Sequence, residues 1–257
     1  MPELPEVETI IRGLRPHVEG ELLRTVAVRD PSLGPGLAGL ELPQVVRAVR
    51  RRGKYILFEL PSQVLVIHLR MSGRLVWSRR VPPGRVRLSL RFSPGAMHLV
   101  DTRRLATAQV GERSDLDLGP DALGDLSWLP AALAGSRAPI KTWLLNQRNI
   151  AGIGNIYGAE ILFRAGIDPR RPANTLSPAE AERLQAAVPE VLREAIACMG
   201  TSLADNTYRA PTGELGSFAG CLRVYGRRGQ PCPVCGHPVA QVKLGGRSSY
   251  YCPTCQT

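Results

Sequence analysis

The chain has 257 residues, enough for two small domains with cores of their own, and 44% hydrophobic content is too much for a disordered tail. Its 33 basic residues outnumber 22 acidic ones, and the excess is uneven: Arg47 to Arg104 holds fourteen Lys/Arg against only Glu59 and Asp101, and no acidic residue follows Glu214. Basic surface in two separate segments suggests a polyanion held from two sides, nucleic acid first, with a solvated face or an acidic protein partner as the alternatives. No apolar run approaches the roughly 20 residues of a membrane span, and the acidic start lacks a signal-peptide pattern, so a cytoplasmic protein is expected.

The chain opens Met1-Pro2-Glu3-Leu4-Pro5-Glu6. Removal of Met1 exposes a proline amine beside two carboxylates at the start of a helix. At neutral pH roughly one α-amino group in ten is unprotonated, against about one lysine in 2,500, so such an amine is a ready nucleophile toward an aldehyde-like carbon. A purely structural reading exists as well: Pro5 sits at a favoured first-turn position, and Glu6 and Glu8 complement the helix dipole. Val7, Ile10, Ile11, Leu14 and Val18 then fall on one face of a helix ending near Gly20. That face needs a sheet to cover it.

From Leu22 to Val110 the pattern is strand-like. Strands are expected at Thr25 to Arg29, Val45 to Arg50, Tyr55 to Leu60, Val64 to Leu69, Arg74 to Trp77, Val86 to Phe92 and His98 to Asp101. Turn signals such as Arg52-Gly53, Ser72-Gly73, Pro82-Pro83-Gly84 and Pro94-Gly95 separate them. Short strands at this spacing favour an antiparallel sandwich. Within it, Arg50-Arg51-Arg52-Gly53-Lys54 reads as a basic hairpin tip whose Lys54 suits a phosphate. Met71 and Leu105, each in a turn after a strand, could be apolar wedges in a base stack with Arg103 beside them, or ordinary core residues. For His68 the default is a satisfied buried histidine.

Asp115 to Pro139, with three prolines and three glycines among acidic residues, reads as a connector with a short helix. Ile140 to Gln147 and Ile156 to Arg164 read as helices around the glycine-rich Ala151-Gly152-Ile153-Gly154-Asn155. That turn has the wrong spacing for a dinucleotide loop, but its backbone N–H groups and the Asn155 amide can meet a phosphate. Ser177-Pro178-Ala179-Glu180 carries a capping-box pattern and starts a long helix. Last come Cys232-x2-Cys235 and Cys252-x2-Cys255, four thiolates at zinc-ribbon spacing, flanking two strands, Val239 to Leu244 and Arg247 to Tyr251. Four protein ligands leave no open position for water, which makes one zinc ion structural rather than catalytic. Arg247, beside the Gly245-Gly246 tip, could enter a nucleic-acid groove.

With Pro2 to Thr9, Arg51 to Tyr55, His68 to Gly73, Gly152 to Tyr157, Val224 to Arg227 and the four cysteines in this order, the chain resembles the bacterial formamidopyrimidine-DNA glycosylases of the Fpg/MutM type, in the Fpg/Nei family. Leu4 separates it from the endonuclease VIII type, which typically begins Pro-Glu-Gly-Pro-Glu. The resemblance implies an α+β fold: a helix-capped antiparallel β-sandwich at 1–112, a connector at 113–136, a helix-two-turn-helix domain at 137–220 and a zinc-finger hairpin at 221–257, with duplex DNA between the domains. It implies a monomeric glycosylase and AP lyase for oxidised purines, nucleoid-associated through DNA, with Pro2 as nucleophile, Glu3 as general acid/base and Glu6 in support. Lys54, Asn155 and Arg247 would contact phosphates around the lesion, with Lys141 a further DNA contact. Met71, Arg103 and Leu105 would fill the gap left by the extruded base, and a loop from about Thr212 to Phe218 would cover that base. The family usually has Asp-Pro-Arg-Arg-Phe-Gly where this chain has Asp101-Thr102-Arg103-Arg104-Leu105-Ala106, and glycine where Arg70 stands. A non-catalytic zinc-containing DNA-binding paralogue and a glycosylase preferring oxidised pyrimidines are the alternatives.

Overall fold

The computed structural model describes residues 2–112, 115–203 and 208–257. The chain divides into two units, one of 1–117 with 196–219 and the other of 118–195 with 220–257.

In the first unit, helix α1 (Leu4–Val18) buries Val7, Ile10, Ile11, Leu14 and Val18, the five residues of its apolar face, each at no more than 1% exposure, and a one-turn helix, α2 (Gly34–Leu37), follows it. Eight of the unit's ten strands form two antiparallel sheets. One runs β10 (Thr107–Gly111), β6 (Val64–His68), β5 (Tyr55–Glu59), β4 (Ala48–Arg52); the other runs β2 (Thr25–Val28), β8 (Val86–Arg91), β9 (Ala96–Val100), β7 (Arg74–Ser78). Both sheets and α1 contribute to one hydrophobic cluster that includes Ile56, Phe58, Ile67, Leu88, Met97 and Leu99. The expected Val45 to Arg50 strand is two pieces, β3 (Gln44–Val45), paired with β1 (Leu22–Leu23), and β4. Strand β10 escapes the sequence pattern because Thr-Ala-Gln-Val-Gly buries only Ala108.

A β-bulge interrupts β8, where Val86 faces Val100 but Leu88 already faces Leu99. Arg87 is the extra residue. Bulges re-aim a side chain, and this one leaves the arginine 1% exposed. Segment 196–219 groups with the sandwich rather than with the helices before it. Trp77 N donates to the Pro211 carbonyl at 3.1 Å on β7, an edge strand, and Thr201 pairs with Ser217 in an isolated bridge.

The second unit holds α3 (Leu129–Ala134), α4 (Ile140–Leu145), α5 (Asn155–Ala165) and most of α6 (Pro178–Ala197), which continues through Pro189. Gly166 ends α5 in the left-handed region at φ 70°. The hairpin of β11 (Ala240–Leu244) and β12 (Arg247–Tyr251) turns at Gly245 and Gly246, both at positive φ. Ala159 of α5 forms a small apolar cluster with Val224 and Val239, which seats the last segment on that helix. No helix among the described residues is long and apolar enough to cross a membrane.

Candidate functional site

Pro2 and Glu3 lie buried at the head of α1; Met1 lies outside the described residues. Glu3 is the N-cap in extended conformation and forms a reciprocal capping box with Glu6, whose Oε2 accepts from Glu3 N at 2.7 Å. Two backbone donors at the helix start are thereby satisfied, and the backbone that carries Pro2 is fixed. The other oxygen of Glu6 accepts from Thr201 N at 2.8 Å. Gly200, at φ 81°, passes so close that a Cβ there would lie 2.7 Å from Glu6 Oε1. Glu6 thus ties the candidate nucleophile's segment to the chain that leads into the Thr212 to Phe218 loop. Tyr208 stands beside it, donating to the Met199 carbonyl at 2.9 Å; burial, and then the Glu6 charge, push its phenol pKa up.

Strands β4 and β5 pack on α1, and Arg51, near their tip, pairs with Glu8 at 3.2 Å. Gly53 takes φ 56° to make the turn, and Lys54 after it is buried at 6% exposure. Opposite Tyr55 in register is His68, with the two rings 4.4 Å apart. Burial, then the charges of Arg70 and Lys54, lower the His68 pKa to about 3, so the ring is neutral, and its Nδ1 accepts from Arg70 N at 3.1 Å. That bond holds Arg70 in the left-handed region at φ 54°, which a non-glycine residue enters at a cost. The structure therefore brings Lys54, His68 and the turn carrying Met71 together. Met71 and Leu105 are 50% and 39% exposed, so neither is a core residue.

In the second unit, Asn155 begins α5, and its buried Oδ1 has no hydrogen-bond partner among the described residues. An amide oxygen is an acceptor, so a donor would complete it, while a phosphate here would be met by the amide Nδ2–H and the backbone N–H groups of the helix start. Arg247 is exposed at the hairpin tip. Lys141 is not on the surface: it is 1% exposed and its Nζ donates to the Ser248 carbonyl at 3.4 Å, at the floor of a groove lined by Thr142, Asn146, Gly245 and Arg247.

The sulfur atoms of Cys232, Cys235, Cys252 and Cys255 lie within 4.8 Å of one another. Two of the separations, 3.4 and 3.9 Å, bracket the roughly 3.8 Å expected between thiolates that share a tetrahedral zinc at Zn–S near 2.3 Å. Backbone turns support the set: Gly236 N donates to Cys232 O, and Gln256 accepts from Cys252 N while donating to Ile167 O. The four cysteines hold one structural zinc. It supplies the cross-link that a hairpin this small lacks in hydrophobic core.

Residues that sequence reasoning passed over also shape the site. Glu160 is 4% exposed and accepts from the backbone N–H groups of Arg223, Val224 and Tyr225, fixing the segment before the zinc hairpin. Burial pushes its pKa up, against the three hydrogen bonds. An acid in the middle of an apolar helix was the available signal. Asp30 and Arg87 gave none.

A helix-headed sandwich with a buried N-terminal proline–carboxylate pair, joined to a helical unit with a four-cysteine hairpin, is the architecture of a DNA-processing enzyme class. Family models match along the chain: the formamidopyrimidine-DNA glycosylase N-terminal domain at residues 1–108, the formamidopyrimidine-DNA glycosylase H2TH domain at 118–207 and the zinc finger found in FPG and IleRS at 229–257. A formamidopyrimidine-DNA glycosylase of Thermus thermophilus is 43% identical, over 100% of this chain and 98% of its own. The solved complex of Lactococcus lactis Fpg with abasic-site DNA superposes at TM-score 0.91 with 29% identity, covering 100% of both chains. A MutM complex with DNA containing carbocyclic 8-oxo-G superposes at 0.89 with 30% identity, again over 100% of both. The chain belongs to the formamidopyrimidine-DNA glycosylase family.

Proposed function

We propose that the chain is a bifunctional DNA glycosylase and AP lyase that removes oxidised purines, 8-oxoguanine and formamidopyrimidines, from duplex DNA in base excision repair. The observation that carries this is the N-terminal constellation: Pro2 beside a Glu3–Glu6 capping box, in a chain whose family is established over its full length. The names of the relatives and the lesion-bearing DNA in the MutM and Fpg complexes support the substrate class.

A stacked base has to leave the duplex before an enzyme can act on it, and a damaged base costs less to extrude. With Met1 removed, the Pro2 amine attacks C1′ as the C1′–base bond breaks. Glu3 moves protons while the sugar ring opens, and the resulting iminium permits β- and then δ-elimination. Glu6 holds Glu3 and, through Thr201, the segment that leads to the base-covering loop. Lys54, Asn155 and Arg247 contact phosphates, Asn155 through the N–H donors of its amide. Lys141 stands behind Arg247 rather than at the surface. Met71, Arg103 and Leu105 enter the vacated gap. The functional division is a catalytic sandwich at 1–112, a connector at 113–136, helices at 137–220 and the zinc hairpin at 221–257, working as a monomer on the bacterial nucleoid. The zinc contributes structure and takes no step.

Single-turnover excision from matched duplexes tests the substrate class. Release of 8-oxoguanine opposite cytosine faster than thymine glycol, with β,δ-elimination products, is the expected result. Faster thymine glycol release overturns it.

A further inference from the structure

Five polar residues of the first unit that the reaction does not use form one cluster: Asp30, Ser72, Arg87, Asp101 and Arg104. Asp101 has no exposure at all, yet its two oxygens accept five hydrogen bonds. Oδ1 takes Ser72 Oγ at 2.6 Å and Arg103 N at 3.2 Å. Oδ2 takes Leu105 N and Ala106 N, both at 2.7 Å, and Arg87 Nη1 at 3.4 Å. One carboxylate therefore holds two turns, 69–73 and 101–106. These turns carry Met71, Arg103 and Leu105.

Burial raises the Asp101 pKa, but the bonds from Ala106, Ser72, Leu105 and Arg103 outweigh it and leave it below the ordinary value, so the group is an anion. Its counter-charge is Arg87, aimed inward by the bulge in β8, whose Nη1 also donates to Ala106 O at 2.6 Å. Asp30 completes the set, accepting from Arg87 Nε at 2.8 Å and from Arg104 Nε and Nη2 at 2.8 and 2.6 Å. That two-pronged grip fixes Arg104 at φ 59°. Arg103, by contrast, has no side-chain partner among the described residues and is exposed. An independent contact says the same: a Cβ on Gly73 would stand 2.9 Å from Ala106 Cβ, so the two turns already touch.

We infer that Asp101 is a positioning residue that makes Met71, Arg103 and Leu105 one prearranged wedge for the gap beside an extruded base, with Asp30 holding Arg104 back so that Arg103 alone faces the DNA. This rests on the glycosylase reading above. Leucine has no ring to stack, so its use as a wedge depends on being held in place, and buried charge pairs are best attested as devices that fix one arrangement. Among the described residues, Ser72 supplies the one side-chain bond between Asp101 and the Met71 turn.

The test compares the full-length zinc-loaded wild type with Ser72→Ala, Ser72→Thr, Leu105→Ala and Asp101→Asn. It reads single-turnover excision of 8-oxoguanine opposite cytosine and opposite adenine, and borohydride trapping on a preformed abasic duplex. Ser72→Ala should lower excision about tenfold, on the scale of one lost charge-assisted hydrogen bond. It should also compress the cytosine-to-adenine ratio, as Leu105→Ala does, while abasic trapping stays at the wild-type rate. Ser72→Thr, which keeps the hydroxyl, should restore both. Asp101→Asn should show a larger effect in the same direction, provided its thermal unfolding remains cooperative. Wild-type excision and ratio in Ser72→Ala, or an equal loss of abasic trapping, overturns the proposal. Failure of the wild type to trap at all overturns the glycosylase reading instead.

Discussion

The hairpin tip at Arg247 and the paired turns at Met71 and Leu105 each present side chains to solvent from a small, rigid base, but the bases are built from different physics. In the hairpin, four thiolates converge on one metal. In the paired turns, one buried carboxylate gathers five donors and is neutralised by a single buried arginine. Metal cross-linking is local in sequence and tolerates a thin core. A buried charge cluster draws residues from four separate segments of the chain and tolerates no missing partner. The two bases should therefore fail under different challenges.

The largest effect is expected from the metal. Chelation at neutral pH, or Cys252→Ser, should unfold the hairpin, remove Arg247 from the DNA and abolish most duplex binding in a fluorescence titration. Unchanged binding after verified zinc loss would mean that the hairpin stands on its own packing.

Next is Arg87→Met, which leaves Asp101 and Asp30 buried with half their neutralising charge. It should cost about 3–5 kcal/mol in denaturant unfolding, the range for breaking a buried pair, and leave zinc content at one ion per chain. A cost below about 1 kcal/mol would place the cluster among exposed pairs of little worth.

At neutral pH the smallest effect concerns His68, which sits under the Arg70–Met71 turn and acts only as the pH falls. Its folded pKa is about 3 against an ordinary 6.5. The unfolded chain therefore binds a proton that the folded one refuses, and stability should fall as pH drops from 6.5 toward 3. In His68→Gln that part of the pH dependence should disappear from the denaturation midpoints. Parallel curves for the two proteins would show that another group carries it.

The same contrast explains what could be read from the sequence. The zinc hairpin, the face of α1 and the Pro2 to Glu6 segment were legible because their determinants lie within one short spacing pattern, one helix or five consecutive residues. The sandwich followed from seven strand patterns, but β10 did not, since only Ala108 of its five residues is buried. Asp101 was visible only as the matching first residue of a motif that departs at Thr102, Leu105 and Ala106, and Asp30 and Arg87 not at all. Their meaning depends on a β-bulge at Arg87 and on contacts across 14 to 74 positions in the chain. The burial of Lys141, expected as a further DNA contact, was not legible because its partner, the Ser248 carbonyl, lies 107 residues away.

The central claim is that Pro2 is the nucleophile and that the rest of the site serves it. Borohydride trapping on an 8-oxoguanine:cytosine duplex, using protein shown to begin at Pro2, followed by peptide mapping of the adduct, tests it most directly. The account predicts a covalent adduct on the Pro2 peptide that is lost in a sample retaining Met1. An adduct on Lys54, or an equal yield with Met1 still in place, would contradict it.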